Sequence, residues 1–163
     1  MSDDPIKDAL RLMPYGFYSL TSRNGDDVNA MVANWITQAS FTPRLIVVGL
    51  QKTCYTHGVI EEGRVFCVNL FKKEDQEAMM PFTKGRSKRP DKMQEATYTE
   101  APETGCPVLE GAAAYVECKV VDIFDVGGDH VIVVGEAVGA GVMKEAEVGD
   151  MMTLPHLGWS YAG

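Results

Sequence analysis

The sequence predicts a mainly β fold, an antiparallel barrel carrying a few short helices, and three observations point there. Six or so segments read as strands, by alternation or by unbroken apolar runs. Two reversal signals, Asn24-Gly25-Asp26-Asp27 and Asp125-Val126-Gly127-Gly128-Asp129, carry the glycines and Asx residues that tight hairpins need. No regular alternation of strand and helix, of the kind that builds a doubly wound parallel sheet, runs through the chain.

Composition bounds the rest. The 163 residues form a single domain spanning 1–163, long enough to bury a core. Hydrophobic content of 45% and charged content of 23% are those of an ordinary globular chain. A formal net charge of −8 argues against nucleic acid or an anionic membrane as main partner, since both need a basic face. Any anionic ligand must therefore be held by a local cluster of cations. Cys54, Cys67, Cys106 and Cys118 form no C-x-x-C pair and no metal spacing, so no metal site is expected. The acidic start Met1-Ser2-Asp3-Asp4-Pro5 is unlike a signal peptide, and no apolar run approaches the ~20 residues of a membrane helix. A cytoplasmic protein with free thiols is expected.

In chain order, Pro5 to Leu12 opens with a short helix, capped by Asp4 and broken at Pro14. Phe17 to Ser22 is a strand that returns through the Asn24–Asp27 turn as a hairpin. Asn29 to Phe41 is read as one strand, stopped by Thr42-Pro43. Leu45 to Leu50 is apolar throughout, as in a strand covered on both faces. Thr56 is expected to cap a helix that runs to Glu62 and closes at Gly63. Val65 to Leu70 is a second buried strand, and Glu74 to Phe82 a helix with acidic residues in its first turn. Thr83 to Pro107 is a polar excursion. Gly111 to Phe124 and His130 to Val142 form a long hairpin. The tail from Met151 is too aromatic to be loose. Cys67 and Cys118 read as core fillers, and Trp35 and Trp159 as core before ring-stacking groups. The pairs Met79-Met80 and Met151-Met152 read as interface packing.

Two stretches carry chemistry. The polar positions of Asn34-Trp35-Ile36-Thr37-Gln38-Ala39-Ser40 are amides and hydroxyls wedged among apolar residues, where a solvent-facing strand would carry charges. Either this is a sheet edge with bonded amides, or it orients a flat, uncharged ring. The run Gln51-Lys52-Thr53-Cys54-Tyr55-Thr56-His57 follows a buried strand and opens a helix. Hydroxyls, a lysine and free backbone N–H groups there suit a phosphate. Lys84-Gly85-Arg86-Ser87-Lys88-Arg89 is the one basic cluster, either a solvated loop or a clamp for a phosphate or pyrophosphate. No G-x-G-x-x-G, P-loop, catalytic triad or carboxylate pair is present.

The run from Asn29 to Pro43, Tyr55-Thr56-His57 before a helix, Val65–Leu70, and Gly128-Asp129-His130 followed by Gly135-Glu136 together resemble the flavin reductase-like family of FMN-binding split barrels, over about Leu10 to Val142. That resemblance implies a split barrel and a homodimer with FMN near the interface. By position, Asn34, Trp35, Ile36, Thr37, Gln38 and Ser40 would line the ring system and ribityl chain. Gln51, Lys52, Tyr55, Thr56 and His57 would surround the phosphate, with Lys84 reaching it from the basic cluster. His130, otherwise a plain turn histidine, would face the flavin and the nicotinamide of NADH or NADPH. Arg44 departs from the second proline many relatives have, and Cys54 from a small hydroxyl residue.

The implied activity is hydride transfer from NAD(P)H to flavin. It requires stacked rings and little acid–base chemistry from the protein, so the lack of a nucleophile or triad fits it. The alternative is an FMN-containing electron carrier, with an acidic surface suited to docking a redox protein partner and no NAD(P)H site.

Overall fold

The computed structural model describes residues 2–161. Helix α1 (Pro5–Leu10) starts as expected, the Asp4 carboxylate accepting the N–H groups of Ile6 and Lys7 at 3.1 Å. Strands β1 (Tyr18–Asn24) and β2 (Asp27–Ala33) form the first hairpin around Gly25, which takes the left-handed conformation a tight turn demands. Then come β3 (Ile36–Phe41), β4 (Arg44–Gln51), α2 (Tyr55–Gly63) and β5 (Val65–Leu70). Short helices α3 (Gln76–Met79) and α4 (Lys92–Glu95) precede a small hairpin of β6 (Tyr98–Glu100) and β7 (Pro107–Leu109). The long hairpin of β8 (Ala114–Phe124) and β9 (His130–Val142) follows.

Seven strands make one antiparallel sheet in the order β2-β1-β5-β8-β9-β4-β3. Its two edges, β2 and β3, are consecutive in the chain and are joined by Asn34 and Trp35 alone. The sheet must therefore curl until its edges meet at that link, without a hydrogen-bonded ladder between them. This is a barrel split along one seam, the mainly β architecture the sequence predicts.

Leu20, Val48, Leu50, Ile60, Phe66 and Val133 fill the barrel. A second cluster, with Phe17, Phe71, Met79, Phe82, Met93 and Met152, lies beneath the excursion. Cys67 and Cys118 are fully buried, as expected of core fillers. Among the described residues no helix is long and apolar enough to cross a membrane.

Several expectations are corrected. The stretch from Asn29 to Phe41 is two strands, because Asn34 and Trp35 carry the chain across the seam. Only one face of β4 is core: Val48 and Leu50 are buried, whereas Leu45 and Val47 on the other face are half-buried. Cys54, not Thr56, is the N-cap of α2, and no side chain caps it. Gly63 is the last helical residue, and Arg64 takes the left-handed position at φ 61°. Gly63 serves close approach instead, since a Cβ there would stand 1.9 Å from the Arg23 carbonyl oxygen. The expected helix from Glu74 to Phe82 is two 3-10 turns flanking α3, because Pro81 has no N–H to extend it. Met79 and Met152 are core residues, 1% and 2% exposed, where interface packing was expected.

Candidate functional site

Two joined cavities lie beside the seam. The first, about 410 Å3, is walled by the end of β2, by Asn34 and Trp35, by Gly49 and Gln51 of β4, by His130, and by the tail residues Trp159, Ser160 and Tyr161. Its character is aromatic. The Trp35 ring lies 4.7 Å from that of His130 and 4.9 Å from that of Tyr161, while Trp159 meets Phe17 edge-on at 5.7 Å. Gly49 makes room for the indole: a Cβ there would come 3.2 Å from Trp35 Cβ and Cε3. Asn34 Nδ2 is buried at this wall with no hydrogen-bond partner among the described residues. A buried donor left unpaired costs roughly 1–3 kcal/mol, so it marks a position where a ligand acceptor is expected.

His130 opens β9 directly across from Gln51. Its Nδ1 lies 2.6 Å from Asp129 Oδ1, and its Nε2 lies 3.2 Å from the Tyr161 hydroxyl. An ionised carboxylate can only accept, so Nδ1 carries a proton, and in the neutral ring Nε2 then receives the phenol O–H. The hydrogen bond from His130 holds Asp129 below the usual carboxylate range. Burial, reinforced by Asp129, pushes the Tyr161 phenol up.

The second cavity, about 440 Å3, shares Met31, Val32, Gln51 and Thr83 with the first. It is cationic. Lys84, Gly85, Arg86 and Ser87 form one side, Lys92 the floor, and Thr53, Cys54, Tyr55 and Thr56 at the start of α2 the other. Lys92 is 3% exposed, and its ammonium donates to the Lys84 carbonyl at 3.1 Å. No carboxylate pairs with it among the described residues. Burial, followed by repulsion from Arg86 and Arg89, lowers its pKa to about 8. Arg86 donates to the Val28 carbonyl at 3.0 Å and sits 4.3 Å over the Tyr55 ring. Burial pushes the Cys54 thiol up, against the pull of the His57 and Thr56 N–H groups, so it sits there as a neutral group. Asn29 Nδ2 donates to Thr56 Oγ1 at 2.8 Å, while Asn29 Oδ1 is buried without a partner among the described residues. The excursion therefore forms one wall of this cavity.

Of the residues singled out by sequence, Asn34, Trp35, Gln51 and His130 meet at the aromatic cavity. Gln51, Tyr55, Thr56 and Lys84 meet at the cationic one, although the Tyr55 hydroxyl donates to Asp27 at 2.8 Å. Ile36 packs against the barrel core. Thr37, Gln38 and Ser40 lie along the exposed edge of β3. Gln38 donates to the Ser40 carbonyl at 3.1 Å and borders a separate hollow with Arg44 and Ile46. Lys52 turns away from both cavities to pair with Asp125 at 2.8 Å, and with His57 it borders another hollow.

Lys92 and Asn29 are the additions the sequence did not single out as ligands. Lys92 lies beyond Pro90 in a polar stretch, where nothing local marks it as buried. Asn29 does carry a signal: it is an amide inside a β-branched and apolar run, like Asn34 five residues on. Tyr161 was legible only as part of an aromatic tail, and Trp159, expected first as a core residue, is 43% exposed at the rim of the aromatic cavity.

Residues 10–156 match the flavin reductase like domain. The chain is 35% identical over 143 residues to a ferric-chelate reductase (NAD(P)H) of Archaeoglobus fulgidus, covering 86% of this chain and 83% of that one. It is 28% identical over 143 residues to diflavin flavoprotein A 1 of Synechocystis sp., covering 87% of this chain. The chain spans only 20% to 25% of the length of the diflavin flavoproteins it matches. Among solved structures, the NADH:FAD oxidoreductase SgcE6 of Streptomyces globisporus superposes with a TM-score of 0.76 at 25% identity, covering 88% of this chain and 87% of that one. With most of its length matched and the barrel shared, the chain belongs to the family of the flavin reductase like domain.

Proposed function

We propose that the protein is an FMN-binding oxidoreductase that transfers hydride from NADH or NADPH to flavin. One observation carries this reading: a ring-lined cavity with an unpaired buried donor adjoins, across shared lining residues, a cavity lined by a buried cation with no carboxylate partner. A flavin mononucleotide has matching parts. Asn34 Nδ2 offers a hydrogen bond to an acceptor on the ring edge. Asn29 Oδ1 accepts from a ribityl hydroxyl. Lys92, Lys84 and Arg86 meet the phosphate, together with the free N–H groups at the start of α2.

When bound, the flavin supplies the hydride-accepting chemistry. The residues of this chain bind and orient. Trp35, Trp159 and Tyr161 shield the ring cavity from water, Gln51 spans the two compartments, and His130 is held in one tautomer by Asp129. Lys52 and His57, assigned to the phosphate by resemblance, border a different hollow, so in this reading the phosphate is met by the residues of the cationic cavity instead.

A homodimer is part of the reading, supported by the half-covered outer face of β4. A cytoplasmic setting is supported by the four free cysteines. The electron-carrier reading is favoured by the net charge of −8, which suits docking to a basic redox protein. Visible spectra separate the two. Purified protein should carry, or take up, an oxidised-flavin spectrum that bleaches on anaerobic addition of NADH or NADPH. Bleaching by dithionite alone would support the carrier, and a protein that binds no flavin would sink both.

A further inference from the structure

Lys92 is the only buried lysine among the described residues, 3% exposed at the floor of the cationic cavity. Its Nζ makes one hydrogen bond among them, to the Lys84 carbonyl at 3.1 Å, and pairs with no carboxylate. Lys92 and Phe82 also line a neighbouring cavity of about 380 Å3, so the side chain is screened from bulk water yet borders open space on two sides. Burial, followed by repulsion from Arg86 and Arg89, lowers its pKa to about 8. At neutral pH its free-amine fraction is then roughly three-hundredfold that of a lysine at 10.5. A less basic amine is also a weaker nucleophile. With the slope of about 0.5 that thiols show, the net gain is roughly tenfold. A nucleophile therefore stands on the floor of an anion seat.

We propose that Lys92 is a covalent modification site, at which a short-chain acyl phosphate seats its phosphate in the cationic cavity and acylates the Lys92 amine. Lys84, Arg86 and the first N–H groups of α2 hold the phosphate. The nitrogen lone pair bonds to the acyl carbon, and the bond from that carbon to the phosphate oxygen breaks. Hydrogen phosphate leaves with the proton that the nitrogen loses, and an uncharged amide remains. Arg86 and Lys84 stabilise the charge that gathers on the departing phosphate. Their charges also offset the pull of that anion on the Lys92 proton, which keeps the amine available. Phe82, beside Lys92 in both cavities, offers an apolar surface to the acyl chain. Acylation removes the positive charge from the cavity floor. On the flavin reading above, on which this consequence alone rests, the acylated protein should bind FMN roughly thirtyfold more weakly.

The test is site-resolved mass spectrometry of the whole protein, freed of flavin and exposed for set times to acetyl phosphate. Lys92 should acquire its acetyl group roughly tenfold or more faster than the exposed Lys88 and Lys119. Inorganic phosphate in the buffer should suppress the reaction at Lys92 and leave those two unchanged. Acetic anhydride, which carries the same acyl group without a phosphate, should favour the exposed lysines instead. A Lys92 that reacts no faster than Lys88 and Lys119 would overturn the proposal. So would a Lys92 rate indifferent to inorganic phosphate, or the same preference for Lys92 with acetic anhydride. The readout is a mass at one residue, so it does not depend on flavin chemistry. Acetylation of Lys92 in a protein that binds no FMN would refute the function proposed above and leave this site standing. An unmodified Lys92 in a protein that binds FMN would do the reverse.

Discussion

Replacing Lys92 by methionine tests the cationic cavity most directly, because the substitution keeps most of the apolar stem of the side chain and removes its ammonium. In the free protein the ammonium is nearly enclosed, with one carbonyl as partner and no carboxylate. An uncompensated buried cation lowers stability, so Lys92→Met should leave the melting temperature unchanged or raise it. Ligand affinity should move the other way. One charge-assisted contact to a phosphate contributes about 2 kcal/mol, so the variant should bind FMN roughly thirtyfold more weakly.

The pH dependence gives a second handle. The folded pKa of about 8 lies below the ordinary lysine value of 10.5, so between these the unfolded chain holds more protons. On account of Lys92, stability of the free protein should therefore rise as pH climbs from about 8 towards 10.5, while FMN affinity falls. Burial moves the Cys54 thiol upward, so it produces no step near 8. Calorimetry in buffers of differing ionisation enthalpy should show proton uptake on binding above pH 8 in the parent protein and none in the variant. Equal affinity and an unchanged pH profile in Lys92→Met would refute the placement of the phosphate.

Substitutions at three further positions test other parts of the structure. Asn34→Ala should weaken flavin binding by roughly 1 kcal/mol, about fivefold, with no loss of melting temperature, because Asn34 Nδ2 has no partner to lose in the free protein. Gly63→Ala puts a methyl group against the Arg23 backbone and should cost about 3 kcal/mol. That corresponds to roughly 6–12 °C in thermal unfolding for a chain of this size. Glu117 is 1% exposed, and its Oε2 accepts the N–H groups of Glu103 and Thr104 and the Thr104 hydroxyl. Glu117→Ala should lower stability by about 3 kcal/mol in urea unfolding, and Glu117→Gln, whose amide oxygen can still accept all three, by only about 1 kcal/mol.

The barrel, and part of the lining of the two cavities, were legible in the sequence because their signals are local. Hairpin turns announce themselves in Gly25 and Gly127, and the neutral polar groups around Asn34 stand out against an apolar background. What sequence could not resolve is direction. Strand β4 ends at Gln51 and the chain turns, so Gln51 and Thr53 reach the site while Lys52 between them points away to Asp125. The register of β4 against β9 places Gln51 opposite His130, and the turn that follows decides the direction of Lys52 and Thr53. Lys92 was missed for a different reason. Its burial follows from the excursion folding back over β2, a long-range packing event with no periodic trace in the sequence.

The seam explains why the site lies where it does. Were β2 and β3 paired, their ladder would close the barrel and the link between them would be an ordinary turn. Instead Asn34 and Trp35 span the gap, which leaves the Asn34 amide unpaired and turns the Trp35 indole onto Gly49, beside the cavity. The chain then covers the opening from elsewhere, with the excursion on the cationic side and Trp159 and Tyr161 on the aromatic side. The site therefore draws on the same residues that leave the barrel open. A change that sealed the seam with added β2–β3 pairing would raise stability and close the cavities together. Stability and ligand binding are in direct opposition at Asn34 and Trp35, as they are at the unpaired Asn29 Oδ1 and at Lys92.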